Sequence, residues 1–178
     1  SIASGGNYNV CVGDEAGTAI TTGDYNVALG YEALKNEDAH GLNTAIGTQA
    51  LFSLNAGADA YNVAVGYQAG AGVSTGVQNT LIGGLAGDAL TVGNKNIAIG
   101  YRTLSDDTKG NKNVAVGNFA LSTQNFTTAT DVFNVGVGHG AGEGITTGFQ
   151  NALVGALAGD ALTDADRNTA VGYAALST

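Results

Sequence analysis

The sequence predicts an all-β protein, a parallel β-solenoid of about ten coils, on three observations. A five-residue phrase of Asn, a β-branched or small residue, a small or aliphatic residue, an aliphatic residue and Gly recurs along the chain. It recurs at a base spacing of 17 residues. Both faces of the segment between Asn and Gly are apolar.

The phrase begins at Asn9, Asn26, Asn43, Asn62, Asn79, Asn96, Asn113, Asn134, Asn151 and Asn168. All steps are 17 residues except those from Asn43 (19) and Asn113 (21), so two short insertions, 55–61 and 122–133, interrupt an otherwise constant period. Self-similarity at a fixed period marks a repeat architecture. A helix–turn–helix does not fit in 17 residues, and a Gly closing every phrase disfavours a helix interior. Short strands joined by turns do fit, so residues 1–178 read as a single repeat domain.

Within each strand, side chains alternate between faces. One face carries the residue after Asn together with Val12, Leu29, Ile46, Val65, Ile82, Ile99, Val116, Val137, Val154 and Val171. The other carries Cys11, Ala28, Ala45, Ala64, Leu81, Ala98, Ala115, Gly136, Leu153 and Ala170. A strand apolar on both sides needs cover on both sides. One thin roll covers only one face, so the Val/Ile ladder is expected to meet partner chains.

The phrase-ending Gly and the opening Asn are expected to serve the backbone, since both tolerate positive φ. Stacked Asn residues, among them Asn26, Asn43, Asn62, Asn79, Asn96 and Asn113, are also expected to hydrogen-bond from coil to coil.

Four residues after the phrase Gly stands either Gly or Leu, in the order G-L-L-G, G-L-L-G, G-L. Gly-type coils carry an aliphatic residue three positions later: Ile20, Val73, Leu90, Ile145 and Leu162. Leu-type coils carry Glu37, Asp107 and Gln124 there, with Leu54 the exception. The exchange suggests one large aliphatic side chain per coil in a narrow interior, where voids and overpacking are both costly. It also defines a four-coil superrepeat starting at Asn9, Asn79 and Asn151.

Composition excludes several function classes. The chain has 178 residues, 29 glycines, no proline and 44% hydrophobic residues, too apolar for a disordered polar tract. A net charge of −9 with six Lys plus Arg argues against a nucleic-acid partner. No apolar run is long enough to span a membrane, so the chain is not expected to be embedded in one. Cys11 is the only cysteine, which rules out an intrachain disulfide. The lack of Met at Ser1 and the similar coil phase at both ends lead us to expect an excerpt of a longer fibre, or trimers stacked head to tail.

The phrases "NTAIGTQAL" at 43–51 and "NTAVGYAAL" at 168–176 carry a resemblance. They are similar to the YadA-like head repeats of trimeric autotransporter adhesins, and equally to the related repeats of phage tail fibres. The coils here are slightly longer than the commoner ones of that family. The resemblance implies a left-handed parallel β-roll and a parallel homotrimer around a central axis. It also implies an extracellular place, on a cell surface or a virion tail fibre, and a role in attachment to a host cell, matrix or bacterial envelope. The alternative is a purely structural shaft or filament subunit without its own ligand site. Ten coils at a strand spacing of about 4.8 Å give a rod of roughly 48 Å.

Catalysis is not expected. His40 and His139 lie on different coils, and no zinc spacing, phosphate loop or nucleophile elbow occurs. Cys11 takes a slot filled elsewhere by Ala, which reads as burial. Asp106–Asp107 and Asp160, Asp164 and Asp166 read as solvated turn acids, with calcium binding as the weaker alternative; otherwise no cofactor or metal is expected. A threonine column at Thr21, Ser74, Thr91, Thr146 and Thr163 is too broken for a flat ice-binding face. The residues offered for surface recognition are Tyr31, Tyr67, Tyr101 and Tyr173, with Asn125 and Phe126 in the longer insertion.

Overall fold

The computed structural model describes residues 5–177, and the expectation about the chain ends concerns residues outside them. Ten three-residue strands form, each occupying the three positions after a phrase Asn. They are β1 (Val10–Val12), β2 (Val27–Leu29), β3 (Thr44–Ile46), β4 (Val63–Val65), β5 (Thr80–Ile82) and β6 (Ile97–Ile99), then β8 (Val114–Val116), β10 (Val135–Val137), β11 (Ala152–Val154) and β12 (Thr169–Val171). Two short strands, β7 (Gly110–Asn111) and β9 (Thr130–Asp131), complete the set. The ten form one parallel sheet in chain order, β1-β2-β3-β4-β5-β6-β8-β10-β11-β12, with each strand paired to its equivalent one coil on. Ile82 faces Ile99, and Ile99 faces Val116. The protein is thus an all-β parallel solenoid of about ten coils.

The middle residue of each strand points into the roll. Ala28, Ala45, Ala64, Leu81, Ala98, Ala115 and Leu153 are fully buried there. Their flanking residues point outward and remain partly or fully exposed in the single chain. Alternation over three residues therefore decides which apolar face becomes the core.

Every residue with positive φ among those described falls in one of four columns. The phrase Gly, the residue two later, the residue four later and the residue before each phrase Asn all adopt it. The phrase Gly at 83 shows why only Gly serves: its φ is +132°, and a Cβ there would stand 2.3 Å from the Gly100 carbonyl oxygen of the next coil. The expectation that Asn itself would take positive φ is corrected. The preceding residue takes it, including Tyr8, Tyr25, Tyr61 and Phe133, and the turn it makes swings the Asn side chain inward.

The inward Asn residues form the expected ladder. The backbone N–H of Asn96 donates to Oδ1 of Asn79 at 3.0 Å, and that of Asn113 donates to Oδ1 of Asn96 at 3.0 Å. The contact repeats from Asn9 to Asn168. The amide Nδ2 is also engaged, that of Asn96 donating to the Gly110 carbonyl at 2.9 Å. All interior members are buried with both ends paired, which low-dielectric burial demands.

The interior volume exchange exists but differs from the expected one. Leu34, Leu51, Leu104 and Leu121 are fully buried at positive φ. In Gly-type coils the space beside the Gly is filled from the strand instead. A Cβ on Gly87 would lie 2.9 Å from Leu81 Cδ2, one on Gly159 2.8 Å from Leu153 Cδ2, and one on Gly17 2.6 Å from Cys11 Sγ. Where strand and turn are both small, as at Gly136 and Gly142, Leu121 and Leu153 of adjacent coils reach across. The position three further on is interior in both coil types, because Glu37, Asp107 and Gln124 are as fully buried as Val73 and Leu90.

Candidate functional site

The outward surface divides into three regions. The first is the expected apolar ladder. Val12, Leu29, Ile82, Ile99, Val154 and Val171 are exposed in the single chain, and Ile46, Val65, Val116 and Val137 are half-buried. Val10 and Ile97 extend it by one column. Among the described residues none covers these exposed positions. Solvated contiguous apolar area of this kind marks an interaction surface.

The second region is aromatic. Tyr31, Tyr67, Tyr101 and Tyr173 project outward and are exposed. A column that the sequence reading passed over adds Tyr8, Tyr25, Tyr61 and Phe133, the aromatic members among the positive-φ residues that precede the phrase Asn. Tyr8 and Tyr25 stack with centroids 4.9 Å apart, the spacing of adjacent coils. Tyr101, Phe119 and His139 form a run of edge contacts across three coils. The signal for the missed column was the recurrence of Tyr-Asn at 8, 25 and 61.

The third region is a polar groove of about 400 Å³, lined by Gln78, Asn94, Lys95, Asn111, Lys112 and Asp131. Asn94 Oδ1 accepts the Val77 N–H, and Asn111 Oδ1 accepts that of Asn94, each at 2.8 Å. Lys112 Nζ meets Asp131 at 2.5 Å and lies 5.0 Å from the Phe133 ring centroid. The Lys112 hydrogen bond holds the Asp131 carboxyl below the usual carboxylate range.

The longer insertion supplies part of this wall. Its Thr130–Asp131 segment pairs in parallel with Gly110–Asn111, and Val132 is buried. The expectation that Phe126 is a surface residue is corrected: it is 9% exposed, drawn in as its N–H donates to Asp107 Oδ1 at 3.1 Å. Asn125 remains exposed beside it.

The acidic turns are also revised. Asp107 is not solvated but fully buried, and it accepts from the backbone N–H groups of Gly110, Lys109 and Phe126 and from Gln124 Nε2. Burial pushes its carboxyl up, against those donors. Asp166 Oδ1 accepts the Phe149 N–H at 2.9 Å, a structural use. Glu37, equivalent to Asp107 one superrepeat earlier, is fully buried and likewise pushed up by burial. It gathers with Asp38 and His40, and oxygen or nitrogen atoms of the three lie within 4.8 Å of one another. The sequence reading treated Glu37 and His40 separately and so missed this cluster.

The thiol of Cys11 packs against the core, with its pKa raised by burial, which suits a packing role rather than a reactive one. In the threonine column the hydroxyls of Thr21, Ser74, Thr91 and Thr146 donate to carbonyls of the next coil. Around Lys35 an ionic rung joins Glu15 and Glu32, and Glu32 continues to Gln49 and Gln68 across successive coils. Among the described residues no helix is long and apolar enough to cross a membrane.

Comparison with known protein families, with curated proteins and with solved structures yields no match to this chain.

Proposed function

We propose that this chain is the rod segment of a trimeric fibre or adhesin head that attaches its bearer to a surface, outside the cell or on a virion. The uncovered Val/Ile ladder carries the reading. It runs the length of the sheet in register, so copies placed around a common axis bury it layer against layer. Three copies in parallel, each a left-handed roll, are the arrangement that the repeat resemblance implies. Covering one face this way leaves aromatic and polar columns for a partner, on a backbone stiffened by coil-to-coil hydrogen bonds.

The alternative, a shaft without its own ligand site, is favoured by one observation: the threonine column uses its hydroxyls on the neighbouring coil rather than presenting them. A binding assay separates the two. Labelled chain is applied to bacterial, animal-cell and matrix-coated surfaces, alongside a Tyr67→Ala, Tyr101→Ala double variant. Attachment is expected from the unmodified chain and a clear loss from the variant. A folded trimer that binds none of the surfaces supports the shaft and overturns the attachment reading.

A further inference from the structure

We infer that Glu37, Asp38 and His40 form a binding site for a first-row divalent transition ion such as Zn²⁺. Two equivalent buried carboxylates, Glu37 and Asp107, are satisfied differently. Asp107 collects three backbone N–H donors and the Gln124 side chain. Glu37 receives one backbone donor per oxygen, the His40 N–H at 3.2 Å on Oε1 and the Ala56 N–H at 3.1 Å on Oε2. One coil on, where Asp107 has Gln124 beneath it, Glu37 has the apolar Leu54. The group that stands near Glu37 instead is the His40 imidazole.

The Nδ1 atom of His40 is buried and has no hydrogen-bond partner, on a side chain that is 32% exposed overall. It lies 3.8 Å from Glu37 Oε1, too far for a hydrogen bond and close to the separation of about 3.4 Å between two ligands of one tetrahedral zinc. An orphaned buried nitrogen facing a buried carboxylate costs stability unless something bridges them. Asp38, half-exposed, offers a third oxygen within 4.8 Å of the other two ligand atoms, which leaves the remaining coordination positions to water. An imidazole nitrogen with carboxylate oxygens suits zinc, nickel or cobalt, whereas calcium and magnesium take oxygen alone. The three ligands sit within four residues of one turn, and that turn is tied to its neighbours through the His40 carbonyl and the Ala56 N–H. Bound metal would therefore rigidify this turn of the second coil, from which Glu37 already reaches the Ala56 N–H of the third.

Calorimetric titration of the metal-stripped chain with Zn²⁺ tests this, together with the visible absorption of a Co²⁺-loaded sample. The expected result is saturable binding of one ion per chain, ligand-field bands from Co²⁺, and a rise in melting temperature on loading. His40→Ala should weaken binding by about tenfold or more and abolish the melting shift. Asp38→Asn, a nearly isosteric change at a half-exposed side chain, should weaken it too and decides the matter if His40→Ala does not fold. Absence of saturable binding, or unchanged affinity in the folded variants, overturns the inference and places any bound ion elsewhere, such as at His139.

Discussion

Gln124 Nε2 donates to Oδ2 of Asp107 across one coil step at 2.5 Å, with both side chains fully buried. Gln124 then accepts from Asn134 Nδ2 at 2.8 Å, which links the Asp107 hub to the asparagine ladder. The longer insertion is anchored at this point, because the Phe126 N–H also ends on Asp107. Gln124→Leu removes the one side-chain donor to a buried carboxylate, for an expected loss of roughly 1–3 kcal/mol. Urea unfolding of the variant measures it, and an unchanged midpoint would show that the hub tolerates the loss.

The same carboxylate sets a pH dependence. With its folded-state pKa raised, Asp107 binds its proton more tightly in the folded chain than in the unfolded one. That contribution is fully present below the ordinary carboxylate range and is lost as pH rises through the raised value. On mild acidification the unmodified chain should therefore gain stability relative to Asp107→Asn. Melting curves over a pH series test the sign; a relative loss on acidification would mean that the amide donors outweigh desolvation.

The asparagine ladder should be costly to break in the middle. Asn96→Ala strands the Asn113 N–H and the Gly110 carbonyl, each paired to Asn96 in the buried interior. Two such groups cost roughly 2–5 kcal/mol together. Thermal unfolding followed by circular dichroism reads the loss, and a cost near zero would mean that water replaces the amide.

Interior volume should be transferable between strand and turn. Leu81→Ala is expected to cost roughly 2–5 kcal/mol. Adding Gly87→Leu should restore part of it, because the Gly87 Cβ position abuts Leu81 Cδ2. The coil starting at Asn43 already holds that combination, as Ala45, Leu51 and Leu54. A double variant that melts no higher than Leu81→Ala would show that the two positions do not share space.

Period and strand placement were legible because they rest on local pattern: each strand falls on the three residues after an Asn, as the phrase implies. The turns were less legible. Tyr8, Tyr25, Tyr61 and Phe133 hold a left-handed conformation that bulky residues avoid in isolation, so their residue types give no sign of it. Nothing in the sequence marks Glu37, Asp107 and Gln124 as interior, because charged and amide side chains are rarely buried whole. The partners of Glu37 and Asp107 are mainly backbone N–H groups, invisible in the residue types, and Gln124 pairs with Asp107 and Asn134 on neighbouring coils. The insertion hid its role similarly, since Thr130–Asp131 pairs with Gly110–Asn111 as a parallel strand pair that no hydrophobic alternation announces.

Sedimentation velocity of the unmodified chain tests the central proposal, that copies of this chain cover the Val/Ile ladder. A single species at three times the chain mass is expected, dissociating in Ile99→Asp, where three charges would meet in an apolar core. A well-folded monomer that persists at high protein concentration would contradict the account.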